Sequence, residues 1–239
     1  MRERDRNRHG LTRSTVLAAI LLLAPPHGIA AAVVGPELTA LGWRELPNPN
    51  KAENTYALGA EGAIEVRSQN SVSTLYRPVD VDLHERPGLS WRWRVDEPAP
   101  ATDLSVEGED DCSLAVYVGF PYQAEDASLV ESMKRSMVES VAGEDAPGRV
   151  LRYVFCGRHR RGEVVASPHL GGAGFMRVLR PTASPTGEWF AEQVDLAADY
   201  RAAFGEEPPN PSLVAIQADT DDTGSSSRAY VTDLTFVGR

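Results

Sequence analysis

The chain crowds three carboxylates into one short loop near its end, within Gln217-Ala218-Asp219-Thr220-Asp221-Asp222-Thr223-Gly224. Like charges this close repel unless a cation, hydrogen-bond donors or water relieve them. Asp219, Asp221 and Asp222 offer hard oxygen ligands, and Asp233, on the strand that leaves the loop, is expected to join them. Such a set suits a structural calcium ion. The spacing is not that of an EF-hand, because Gly224 and a distal Glu do not fall at the needed positions. A hydrogen-bonded turn, with Asp and Thr side chains capping backbone amides, satisfies the same residues. A ligand rim is the third reading, and the residues alone leave all three open.

A second chemistry lies in Leu89-Ser90-Trp91-Arg92-Trp93-Arg94-Val95. Period-two alternation puts Leu89, Trp91, Trp93 and Val95 on one face and Ser90, Arg92 and Arg94 on the other. The apolar face reads as core. The arginine face is either a set of surface ion pairs or a shallow polar face whose forked donors hold a sugar or a carboxylate. Alternation elsewhere turns Tyr117, Arg152 and Gln217 away from their apolar neighbours. Arg92, Arg94, Tyr117 and Arg152, with Gln217, are therefore expected to share one polar, aromatic face that binds a polar small molecule or a glycan. The assignment holds unless a bulge breaks the alternation.

Familiar catalytic patterns are missing from the sequence. It has no Gly-x-Ser-x-Gly elbow, phosphate loop or dinucleotide fingerprint. His84, His159 and His169 have no partner at metal-ligand spacing. Glu65, Glu163, Glu188 and Glu192 keep a polysaccharide hydrolase or lyase open only in the weak sense that a sandwich can face two carboxylates. No catalytic residue is assigned.

The elements that position these residues read as strands: 62–66, 72–77, 89–95, 113–120, 149–155, 175–180, 188–194, 213–218 and 229–237. They alternate in period two between Gly, Pro, Asp and Ser clusters. Two stretches read as helices. Leu129, Met133, Met137 and Val141 make an apolar stripe over 127–141, and Leu196, Tyr200 and Phe204 make another over 196–204, closed by Gly205. The expected fold is all-β, an antiparallel sandwich of jelly-roll type with one or two short helices packed at its edge. Cys112 opens one strand and Cys156 follows the end of another. If those strands pair antiparallel, the two Cβ atoms approach disulfide distance; two separate buried thiols are the alternative.

The first 32 residues read as an export signal. Five arginines precede the apolar run Val16 to Ala24, Pro25-Pro26 stops it, and small residues follow. The run is too short to span a bilayer, so no stable membrane insertion is expected after cleavage; an uncleaved N-terminal anchor is the alternative. Residues 33–239 then form a single domain, periplasmic or secreted. With the leader's five basic and two acidic residues removed, 19 basic and 32 acidic residues remain, a net charge of −13. That argues against nucleic acid as a partner.

The order Trp91-Arg92-Trp93-Arg94-Val95, Gly108-Glu109-Asp110-Asp111, Val116-Tyr117-Val118, Tyr153-Val154-Phe155, then Ala197-Asp199-Tyr200-Arg201-Phe204-Gly205-Glu206-Glu207-Pro208-Pro209 and the loop 218–224 resembles the DUF3047 family of exported bacterial proteins. Cys112, Cys156 and an insert near 124–147 depart from that pattern. The resemblance carries no activity. The closing pattern, an acidic loop then a strand with Tyr230 and Asp233, is also distantly similar to galactose-binding-like jelly rolls, which implies a late-strand Asp at a structural calcium. From these readings we expect an exported, non-catalytic domain that binds a polar ligand, with a glycan-active enzyme and a structural envelope protein as alternatives.

Overall fold

The computed structural model describes residues 34–121 and 147–238. The leader and the 127–141 helix fall outside the described residues. A short helix α1 (Pro36–Ala40) leads into β1 (Arg44–Pro47) and β2 (Thr55–Leu58). There follow β3 (Ile64–Gln69), β4 (Val72–Pro78), β5 (Gly88–Glu97) and β6 (Cys112–Phe120). After the undescribed segment come β7 (Arg149–Phe155), β8 (Val164–Ser167), β9 (Gly171–Arg180) and β10 (Phe190–Asp195). Helix α2 (Leu196–Phe204), β11 (Leu213–Asp219) and β12 (Ser226–Val237) complete the described chain.

The strands form two sheets. One has seven strands in the order β1-β4-β11-β6-β7-β9-β8, the other five in the order β10-β5-β12-β3-β2. The fold is an antiparallel sandwich of jelly-roll type with helices at its edge, as the alternation predicts. One pairing departs from it: β7 and β9 run parallel, because β8 goes to the sheet boundary and β9 returns between the two. Three of the four boundary strands, β1, β2 and β8, have four residues each. β1 ends on Pro47.

The core between the sheets follows the period-two reading. Leu89, Trp91, Trp93 and Val95 are all fully buried. Trp91 meets Trp93 edge to face at 5.3 Å, Tyr153 of β7 at 5.4 Å, and Trp93 meets Phe155 at 5.5 Å. Rings at such separations gain roughly 0.5–1.5 kcal/mol per pair beyond area burial. These contacts fix which way β5 and β7 face, and so place their polar residues on opposite outer surfaces. α2 caps one end, with Leu196, Ala197 and Tyr200 buried. Asp195 accepts a hydrogen bond from the Ala198 amide at the N-terminus, and Gly205 closes the helix with φ 76°, a conformation that favours glycine.

A smaller core sits on the outer side of the seven-stranded sheet. Leu104 covers Ala115, Val154, Met176 and Val178 there, together with Cys112 and Cys156. The two cysteines form a disulfide with Cα atoms 5.0 Å apart. β6 and β7 pair antiparallel, as the geometric argument requires.

Candidate functional site

The five polar residues expected on one face are divided between two. Arg92 and Arg94 project from the five-stranded sheet, whereas Tyr117, Arg152 and Gln217 project from the outer side of the seven-stranded sheet. The correction has a simple cause. Each set does point away from its own apolar neighbours, but β5 belongs to one layer and β6, β7 and β11 to the other, so the core lies between them.

On the five-stranded sheet the residues form a cross-strand row. Arg94 is registered opposite Tyr230, and Tyr230 opposite Glu65. Trp189, just before β10, completes it. The Arg94 guanidinium lies 4.4 Å from the Tyr230 ring centre and 5.1 Å from that of Trp189. Arg92 lies 5.3 Å from the same indole. Each guanidinium over a ring face is worth about 0.5–1 kcal/mol at an exposed site. Tyr230 donates its hydroxyl proton to Glu65 at 2.8 Å, which fixes the ring. Burial pushes Glu65 up, but hydrogen bonds from Arg67 and Tyr230 and the charges of Arg67 and Arg228 outweigh it and hold the carboxyl below its ordinary value. The row thus alternates aromatic, cation, aromatic and carboxylate.

Asp233 is the second correction. It does not join the acidic loop; its carboxylate lies 3.8 Å from Arg92 on the outer face of the five-stranded sheet. The reason is a β-bulge. β12 shifts register against β5 between Thr232 and Thr235, and Asp233 takes φ 57°. The apolar pattern demands this slip. Ala229 and Val231 face the core, then Leu234 and Phe236 do, so one extra residue must be absorbed between the two phases. Asp tolerates the left-handed conformation better than most side chains.

On the seven-stranded sheet the arrangement is closed. Arg152 is only 6% exposed and lies 4.6 Å from the Tyr117 ring centre. Tyr117 donates to Gln217 Oε1, Arg152 Nη2 reaches the same oxygen at 3.4 Å, and Gln217 Nε2 donates to Thr74 at 2.9 Å. Burial pushes the Tyr117 hydroxyl well above its ordinary value.

The acidic loop borders that cluster. Carboxylate oxygens of Asp111, Asp219 and Asp221 lie within 4.8 Å of one another. Asp111 was outside the expected set, and Asp222 sits beside it through its backbone. Asp111 accepts from the amides of Asp222 and Thr223 and from the Thr223 hydroxyl. Lys51 pairs with Asp221. These contacts are those of a capped turn. One group is left over: Asp219 Oδ1 is buried with no donor. Burial, then a proton shared with Asp221, then the charges of Asp111 and Asp221 push Asp219 up to about 8, against the pull of Arg152. Burial and the same neighbouring carboxylates also raise Asp222.

Against known proteins, a model of the family described as Protein of unknown function (DUF3047) matches residues 41–235. The chain belongs to the DUF3047 family. No curated protein matches it. Among solved structures it is similar to the family 11 carbohydrate-binding module of a cellulosomal cellulase of Clostridium thermocellum, with 9% identity over 83% of this chain and 88% of that one and a TM-score of 0.41. It is similar also to the xyloglucanase domain of a type three effector from Sinorhizobium fredii in complex with cellobiose, with 8% identity over 82% and 93% and a TM-score of 0.45.

Sequence reasoning on this DUF3047 chain missed Trp189, Tyr230 and Asp111 as partners of the assigned residues. Trp189 falls inside the expected strand 188–194, but no polar face was assigned to that run. Tyr230 entered only as part of the closing pattern with Asp233, its neighbours across the sheet unknown. Asp111 lies 108 positions before Asp219, and only the β11–β6 pairing brings them together. Glu192, a weak candidate for catalysis, is instead tied up by Trp93, Arg180 and Arg161.

Proposed function

We propose that this DUF3047 chain is an exported, non-catalytic binding domain whose ligand is a glycan, held on the outer face of the five-stranded sheet. The observation that carries the reading is the Trp189–Arg94–Tyr230 row. It supplies rings with a stackable face, and cations and carboxylates at their edges for hydroxyls, on a rigid sheet. Tyr117 and Arg152 play a different part: they hold the outer side of the other sheet closed. The disulfide supports an oxidising compartment. Among the described residues no helix is long and apolar enough to cross a membrane.

The test is affinity electrophoresis and calorimetry against a panel of soluble polysaccharides, with reaction products assayed in parallel. Binding without product release, lost in Trp189→Ala, is the expected result. Binding that survives Trp189→Ala unchanged overturns the placement, and release of reducing ends overturns the non-catalytic reading.

A calcium ion at Asp111, Asp219 and Asp221 accompanies this reading. The donors are all hard oxygens, and the unpartnered Asp219 Oδ1 favours it. An ion there replaces both the proton on Asp219 and the contact of Lys51 with Asp221. A melt with calcium or with chelator tests it; identical midpoints remove the ion.

A further inference from the structure

We infer that the glycan bound on the five-stranded sheet is acidic, and that Arg92 takes the carboxylate of one of its uronic acid residues. The inference rests on the glycan reading above and adds the ligand's chemical class.

Four arginines stand on this face with four carboxylates. Arg94 meets Asp96 at 2.8 Å, Arg67 meets Glu65 at 2.9 Å, and Arg228 meets Glu97 at 2.9 Å. Arg92 differs from all three. Among the described residues its nearest carboxylate is Asp233 at 3.8 Å, beyond hydrogen-bond reach. Its side chain is 48% exposed, against 26% for Arg94. It therefore keeps its planar fork of donors for an outside group, and a carboxylate matches that fork with two parallel bonds.

Position narrows the ligand further. Arg92 lies against the Trp189 indole, so an anion bound there belongs to a ring at the same end of the aromatic row. A uronic acid carries a stackable ring and a carboxylate in one residue. Asp233 sits beside this donor because the bulge puts it there, and it is 62% exposed. Such a long, solvated pair is held weakly and is readily displaced. It serves as an internal counter-ion while the face is empty. The net charge of residues 33–239, −13, disfavours diffuse attraction of a polyanion. Recognition of the acid then rests on a short-range contact, for which Arg92 has the freest donors.

The test uses polygalacturonate, alginate and glucuronan, each before and after chemical reduction of its carboxyl groups to neutral sugars, by affinity electrophoresis and calorimetry. At least one acidic polymer is expected to bind about tenfold more tightly than its reduced form. Arg92→Gln is expected to remove that difference and leave the residual binding of the reduced polymer. Asp233→Asn is expected to strengthen binding of the acidic form a few-fold. Reduced or other neutral polymers bound as tightly as the acidic ones overturn the inference and leave the glycan reading standing. No binding by these polymers in either form, nor by any of the neutral polysaccharides of the wider panel, overturns both. Circular dichroism of Arg92→Gln identical to that of the parent chain separates lost recognition from lost folding.

Discussion

The two outer surfaces of the sandwich are built from the same residue types and do opposite things. On each, an arginine lies over an aromatic ring with carboxylates beside it. On the seven-stranded sheet, Arg152 and Tyr117 share one acceptor, Gln217, and are packed next to the Leu104 core and the disulfide. There the polar groups bond mainly to one another, although Arg152 Nε stays buried without an acceptor. On the five-stranded sheet, Trp189, Arg94 and Tyr230 stand half-buried in a row, with the more exposed Arg92 beside them and its nearest carboxylate 3.8 Å away. Composition does not separate a sealing cluster from a presenting one. Burial and the count of satisfied donors do.

The largest expected effect breaks the sealed side. Replacing both Cys112 and Cys156 by Ser removes a cross-link of sequence separation 44, for which chain entropy gives a loss of about 4 kcal/mol. Urea unfolding of the oxidised parent and the double variant measures it. An unchanged midpoint would mean that the Leu104 core holds that surface alone.

Next comes the pair that states the contrast directly. Arg152→Ala leaves Gln217 Oε1 without one of its donors and Tyr117 without the guanidinium packed on its ring, and is expected to cost about 1–3 kcal/mol in stability. Arg92→Ala, on the open side, is expected to change stability by less than about 0.5 kcal/mol. Equal losses in urea denaturation would erase the distinction.

Trp189→Ala sharpens the comparison from the other direction. It is expected to weaken polysaccharide binding by about 1–2 kcal/mol, roughly tenfold, consistent with loss of one stacking ring. Tyr117→Phe, on the sealed side, is expected to leave binding as it is. Calorimetry on the two variants reads both arms.

A pH dependence is also expected on the sealed side. Asp219 holds its proton up to about 8 in the folded chain, against an ordinary value of 3.8. Between those values the folded chain binds the extra proton, so stability falls as pH rises. The contribution is full below the lower value and is lost as pH passes the upper one. Asp219→Asn is expected to flatten the stability profile between pH 5 and pH 8.5. Calcium, if bound, is expected to raise the melting midpoint more at pH 8.5 than at pH 5, because the ion needs the proton gone.

Much of the scaffold was legible in the sequence. Arg149–Phe155 and Leu196–Phe204 occur with the bounds that alternation and the 3.6-residue stripe give. The disulfide follows from two strand ends meeting. Strands β1, β2 and β8 were not legible, since four residues are too few to establish a period. The site was legible one strand at a time and no further. Alternation tells which neighbours Arg92 or Arg152 turns away from, and nothing about which layer it belongs to. The slip at Asp233 did leave a trace. Ala229, Val231, Leu234 and Phe236 change phase by one residue, and that signal was there to be read as a bulge.

The brevity of the sandwich's bounding strands has a consequence for how copies of this chain behave when crowded. An unpaired strand margin is a template on which another chain can zip, and a long one seeds fibres. Here β1, β2 and β8 offer only four residues apiece, and Pro47 withholds an amide where β1 ends. On these three margins neighbouring molecules find too short a ladder to climb, whereas β10, with six residues, offers a longer one.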